Sequence, residues 1–217
     1  MHIRKFEQKD REALREISHD TAFMGQSASL FFQAKEVVCD ALTSYFTDYE
    51  PESCFVAEEG ASLVGYLSGA KNKALSERVF AGKILPGLLR RALGSGAFAR
   101  KKNLVFIFNC LKAFASGGLY IPDFSGEYPA TFHINLKKEF RGMGIGSSLV
   151  GAYVEYLRSV GVPGVHLATL SRHGADFFSR QSFQLLYTGK RPYFRHILHE
   201  DVPLYIFGRK IPAGAAN

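Results

Sequence analysis

The sequence predicts a mixed α/β domain with a central sheet flanked by helices. Three observations carry this. Strand-like and helix-period stretches interleave along the chain. Residues 53–58 (SCFVAE) and 62–70 (SLVGYLSGA) form two adjoining apolar runs around Glu59-Gly60, a hairpin signal. A glycine-rich loop stands between a strand at 131–136 (TFHINL) and a helix. The 217 residues suffice for one domain with an insertion and a proper core. A content of 47% apolar and 22% charged residues argues against a disordered chain.

The elements follow in order. Residues 2–6 read as a first strand, and 10–17 as a helix with Ala13, Leu14 and Ile17 on one side. Residues 35–46 read as a second helix, with Val38, Ala41, Leu42, Tyr45 and Phe46 at three- and four-residue steps. After the hairpin, residues 75–93 are helical by period, with Pro86 as a kink or break. Residues 97–115 read as a helix, although 104–108 also fits a strand. The regular pattern resumes with the strand 131–136 and a helix over 147–160 that Gly161 caps. A strand at 165–169, a helix at 172–181, and strands at 183–188 and 202–210 complete the chain. This gives one domain over 1–212, with a basic helical insertion at 71–128 and a disordered tail at 213–217.

Charge is concentrated in the insertion. From Lys71 to Gly118 there are ten basic residues against Glu77 alone, a net +9, which leaves −2 of the chain's +7 to the remainder. Such a block suits an anionic partner, and a solvated face is the bland alternative. It carries no recognisable nucleic-acid motif. The charged N-terminus does not resemble a signal peptide, and no run approaches the ~18 apolar residues of a membrane span. A cytoplasmic protein is the expectation. Cys39, Cys54 and Cys110 have neither metal spacing nor a CxxC pairing, and no metal is expected.

The informative stretch is Arg141-Gly142-Met143-Gly144-Ile145-Gly146-Ser147. Three glycines in five positions allow a close backbone approach, and successive N–H groups can converge on an oxyanion. The following helix adds its unpaired N–H groups and positive dipole end. A pyrophosphate fits there, with Arg141 as a nearby fixed charge. The spacing G-x-G-x-G is not the dinucleotide fingerprint G-x-G-x-x-G, and the Gly-Lys-Ser/Thr of a Walker loop is absent.

Residues 141–146 resemble the R/Q-x-x-G-x-G/A signature of the GNAT superfamily of acyl-CoA N-acyltransferases. The resemblance continues through GVHLAT (164–169), the helix 172–181, and the opening HIRKFEQKDREALREI, about two thirds of the chain. It implies a mostly antiparallel sheet that splays at the signature strand. It also implies acetyl-CoA or another acyl-CoA as co-substrate. The pantetheine would pair with backbone near Leu136, and the pyrophosphate would sit on Arg141, Gly142, Met143, Gly144, Ile145, Gly146 and Ser147. Two positions depart from the family pattern. Ser171 stands where an Asn often opens the last helix, and Phe178 stands where many members have a tyrosine that protonates the leaving thiolate. Phe178 has no proton to give, although it can still pack on the cofactor.

An amine acceptor must lose a proton before attack, so a base is needed nearby. His133 lies on the signature strand with Asn135 on the same face by alternation. Glu127 precedes that strand, and Tyr193 follows the sixth strand as a substitute acid. These residues form the catalytic expectation, set against structural or surface roles for each. The reading is direct transfer from acyl-CoA to an amine in a ternary complex. The partners are the acyl-CoA and an unidentified amine, and a homodimer is left open. A silent acyl-CoA-binding module is the alternative. A binder of nucleic acid or anionic surfaces through the insertion ranks last.

Overall fold

A computed structural model describes residues 1–212 and gives one seven-stranded sheet. The expected disordered tail at 213–217 lies outside the described residues. The strands are β1 (His2–Lys5), β2 (Cys54–Glu59), β3 (Ser62–Ala70), β4 (Ala130–Leu136), β5 (Gly164–Thr169), β6 (Gln184–Arg191) and β7 (Val202–Lys210). Their order is β1-β2-β3-β4-β5-β7-β6, antiparallel at every junction except β4–β5. The α/β class and the mostly antiparallel sheet are those the sequence and its resemblance imply.

Helices cover both faces. α1 (Arg11–Thr21) and α2 (Lys35–Asp48) follow β1. Their apolar residues Leu14, Ile17, Tyr45 and Phe46 pack with Val56 and Tyr66 of the sheet. α6 (Ile145–Ser159) and α7 (Arg172–Arg180) cover the other face. There Leu149, Tyr153, Val154 and Leu157 of α6 meet Leu67, Phe132 and Leu167. Gly161, at φ 71°, ends α6, and the Val162 N–H reaches back to Leu157 O at 2.9 Å.

The connection between β3 and β4 holds α3 (Lys73–Val79), α4 (Leu85–Gly94) and α5 (Lys101–Ala115). Pro86 acts one turn earlier than its own position. It has no N–H for the carbonyl four residues back, so the ladder slips over Phe80–Ile84 and the Leu85 N–H bonds to Phe80 O, a π-type step. The strand alternative at 104–108 gives way to helix. Buried Asn103 fixes the first turn of α5, donating to Ala97 O (2.9 Å) and accepting from the Gln33 N–H (2.6 Å).

Tyr153 is the fully buried pivot under the sheet. Its hydroxyl lies 3.2 Å from Ala70 O and 3.0 Å from Thr131 O, across the β3–β4 ladder. The ring is admitted because Gly69 has no side chain: a Cβ there would stand 2.3 Å from the ring carbons. Gly69→Ala is therefore expected to destabilise the fold by about 1–3 kcal/mol, the usual cost of overpacking. Urea unfolding of the variant would check this, and an unchanged midpoint would contradict the packing.

The sheet opens where β4 and β5 diverge. Their register holds at Ala130↔Val165 and Thr131↔His166 and goes no further. On its other edge β4 stays paired to β3 as far as Leu136↔Gly65. The Lys137 N–H donates to Val64 O (2.9 Å), which sets the alternation of that ladder. It follows that the backbone groups of Ile134 and Leu136 face the gap rather than β3.

Candidate active site

The glycine loop lies at the mouth of this gap, between β4 and the start of α6. Gly142 and Gly144 both have φ 80°, the left-handed region that disfavours side chains. Gly144 is the N-cap of α6, and the first helical bond is Ser148 N–H to Gly144 O at 3.1 Å. The N–H groups of Ile145, Gly146 and Ser147 thus have no partner within the helix. A Cβ on Gly142 or Gly144 would meet no protein atom within 4 Å, so this side of the loop is open. An anionic group can approach the backbone there, and the helix dipole favours it. The loop residues, the gap and the edge of β4 toward it together leave room for an extended ligand that carries an anionic group.

The remaining loop residues brace this geometry. Ile145 is buried, and Gly146 faces Phe177, whose ring would stand 3.1 Å from a Cβ at that position. The Ser147 hydroxyl accepts from Gln181 Nε2 at 2.8 Å, tying the start of α6 to the end of α7. Met143 is exposed at the loop tip. Arg141 directs its guanidinium to Leu136 O and to Gly25 O, each at 3.2 Å. Its charge is beside the loop, but these donors pin the end of β4 to the α1–α2 connection. Ser171 caps α7, its hydroxyl accepting from the Gly174 N–H at 3.0 Å. Phe178 is buried among Phe132, Phe183 and Phe207.

β4 turns different chemistry to its other face. Phe132 points to α6 and α7, whereas His133 meets the Phe46 ring of α2 edge-on at 5.6 Å. Asn135 shares that face and donates to the Tyr66 hydroxyl at 2.8 Å. The His133 ring is accessible to solvent, yet its surroundings desolvate it and lower its pKa below that of an ordinary imidazole. It makes no hydrogen bond among the described residues, so a free imidazole lone pair is available there at neutral pH.

Sequence reading missed three neighbours. Ser68 is directly opposite His133 in the β3–β4 register, and its hydroxyl is buried without a partner among the described residues. Tyr66, opposite Asn135, is fully buried, and burial pushes its phenol up to about 12. His166, opposite Thr131 on β5, is buried with Nδ1 2.6 Å from Tyr128 O. A carbonyl can only accept, so Nδ1 carries the proton. Alternation along β3 contained a signal for Tyr66 and Ser68, but the irregular register beside Glu58 hid it.

The other expected residues lie off β4. Tyr193 follows β6, packed against Phe106 of α5 and against Phe194, and burial raises its phenol. Glu127 is an exposed acid paired with Lys210 at 2.7 Å. Burial pushes the Cys39 thiol up to about 11 and the Cys54 thiol up to about 12, and Cys110 is raised as well. All three are poor nucleophiles at neutral pH. Among the described residues no cluster of His, Cys, Asp or Glu could hold a metal ion, and no helix is long and apolar enough to cross a membrane.

Phe178→Tyr tests the departure from the family pattern. The added hydroxyl enters an apolar cluster and is expected to cost about 1–3 kcal/mol of stability if it finds no partner. Turnover with a good amine acceptor is expected to hold across pH. A loss of about tenfold, ~1.4 kcal/mol of barrier, would instead assign Phe178 to apolar packing of the site.

Comparison with known proteins bears on this geometry. No match is found among curated protein sequences. Among solved structures, the chain is similar over 97% of its length to 98% of SsHAT, at 24% identity and a TM-score of 0.73. It is similar over 96% of its length to 99% of a Drosophila melanogaster polyamine N-acetyltransferase that forms N-acetylagmatine, at 16% identity and a TM-score of 0.59. It is also similar over 99% of its length to 96% of yncA from Salmonella typhimurium, solved with its cofactor acetyl-CoA, at 12% identity and a TM-score of 0.57. At these identities the likeness is one of fold. The family model for the acetyltransferase (GNAT) family matches residues 12–183, from the first helix past the glycine loop to just beyond α7, and the chain belongs to that family.

Proposed function

We propose that this protein transfers an acetyl or other acyl group from acyl-CoA to an amine, directly and within a ternary complex. The observation that carries the reading is the gap between β4 and β5, with an open glycine loop at its mouth and His133 on the opposite face of the same strand. One strand thereby serves both substrates. Its backbone edge toward β5, open at Ile134 although Leu136 O accepts from Arg141, and the loop bind the acyl carrier, and its other face presents a base to the acceptor. Amine acceptors of the similarly folded polyamine N-acetyltransferase fit the same chemistry.

His133 takes the proton that the amine must lose. The amine nitrogen then bonds to the thioester carbonyl carbon, the carbon–sulfur bond breaks, and the CoA sulfur leaves to be protonated as the thiol. The lowered pKa keeps His133 neutral, which a base requires. Tyr193 is the candidate donor to the sulfur by its place after β6; like any phenol it carries its proton at neutral pH, and burial makes it a weaker acid than an ordinary tyrosine. The raised cysteine pKa values argue against an acyl-cysteine intermediate and support direct transfer.

A turnover assay with a panel of amines tests the reading. Amine-dependent release of free CoA is the expected result. Acetyl-CoA binding without any release above background would leave a silent acyl-CoA-binding module.

A further inference from the structure

Helix α5 turns an unusual face to solvent. Leu104, Phe108, Leu111 and Phe114 are exposed by 47%, 66%, 62% and 73%. At about 100° per residue, Leu104, Phe108 and Leu111 fall within about 60° of one another, with Phe114 beside them. The opposite side is the packed one: Ala113 is buried there, and Phe106 packs against Phe31 and stacks on Phe194, while Asn103 is buried in the first turn. The apolar residues are therefore surplus to the core. A surface helix normally shows polar residues there, and a contiguous apolar patch marks an interaction site.

Charge identifies the partner. Between Arg78 and Pro122 the chain has eight Lys or Arg and no Asp or Glu. Within the wider insertion Lys71, Lys73 and Arg91 are spent on ion pairs with Glu52, Glu77 and Asp40. Lys101 and Lys112 are exposed without an ion pair among the described residues, and helical spacing sets both along one edge of the apolar stripe. A second copy of this face would bring like charges together. A nucleic acid would offer no apolar surface for the central stripe. A bilayer with anionic headgroups meets both needs, since acyl chains receive the apolar side chains while lysines reach the headgroups.

We propose that the outward face of α5 docks this protein on the surface of an anionic phospholipid bilayer, lying on the membrane without crossing it. The full-length protein is mixed with phosphatidylcholine vesicles, with and without phosphatidylserine, and sedimented. Binding is expected to the phosphatidylserine vesicles, to weaken as salt is raised, and to fall about tenfold or more in Phe108→Ser with Phe114→Ser. Lys101→Glu with Lys112→Glu is expected to weaken it as well, while both variants keep their circular dichroism and their turnover of a soluble amine. That turnover readout separates failure of the docking surface from failure of the acyl-transfer reading. Three results would overturn the proposal. One is no binding to either vesicle. Another is binding that survives loss of both phenylalanines, which is plain adsorption of a basic chain. The third is a concentration-dependent dimer that the phenylalanine variant dissolves, which would give the face to a second copy.

Discussion

Gly144→Val is expected to abolish acyl-CoA binding in a protein that still folds. The residue has φ 80°, where a β-branched side chain is strained. No protein atom lies within 4 Å of its Cβ position, so valine would not clash with the protein itself. The side chain would project into the open space above the loop, on the path proposed for the pyrophosphate to the N–H groups of α6. Hydrogen bonds to a charged partner contribute about 1.5–3 kcal/mol each. Loss of two would weaken binding by about 100-fold or more. Calorimetric titration with acetyl-CoA reads this out, beside circular dichroism and a thermal melt. Near-normal affinity in a folded variant would sink the phosphate-loop assignment.

The sequence disclosed the fold through local signals. Alternation, helical period and the turn at Glu59-Gly60 are written within a few residues of one another, so strands, helices and the hairpin were legible. The glycine loop was legible for the same reason: its chemistry resides in consecutive backbone groups. What escaped depended on residues far apart in the chain. Ser68 and His133 meet through strand register, 65 positions apart, and nothing in either segment announces the other. Arg141 reads as a phosphate ligand from its place beside the loop, yet its donors reach Gly25 O, 116 positions away. Buried Arg191 fastens the exit of the insertion, donating to Gly118 O at 2.8 Å, and no local pattern distinguishes it from its exposed counterparts. The run 104–108 was ambiguous because apolar continuity suits a strand and a helix alike. The long-range anchor of Asn103 to residue 33 decides it.

His133→Ala is expected to lower kcat by about 10²–10⁴-fold, the usual contribution of a positioned base, and to leave acetyl-CoA affinity unchanged. The two readouts separate because the ring lies on the α2 face of β4, whereas the edge proposed for the carrier faces β5. The pH profile supplies a sharper test. Desolvation lowers the pKa of His133, so the neutral, base-competent form persists to more acidic pH than for a free imidazole. In the native protein kcat should rise through an acidic limb centred below about 6.5 and then level. In His133→Ala that limb should vanish along with the rate. His166 offers no substitute: its Nδ1 is committed to Tyr128 O, and burial lowers its pKa too. If the variant keeps both its rate and its limb, the proton leaves the amine by another route. The accessible imidazole beside Phe46 would then be a structural histidine.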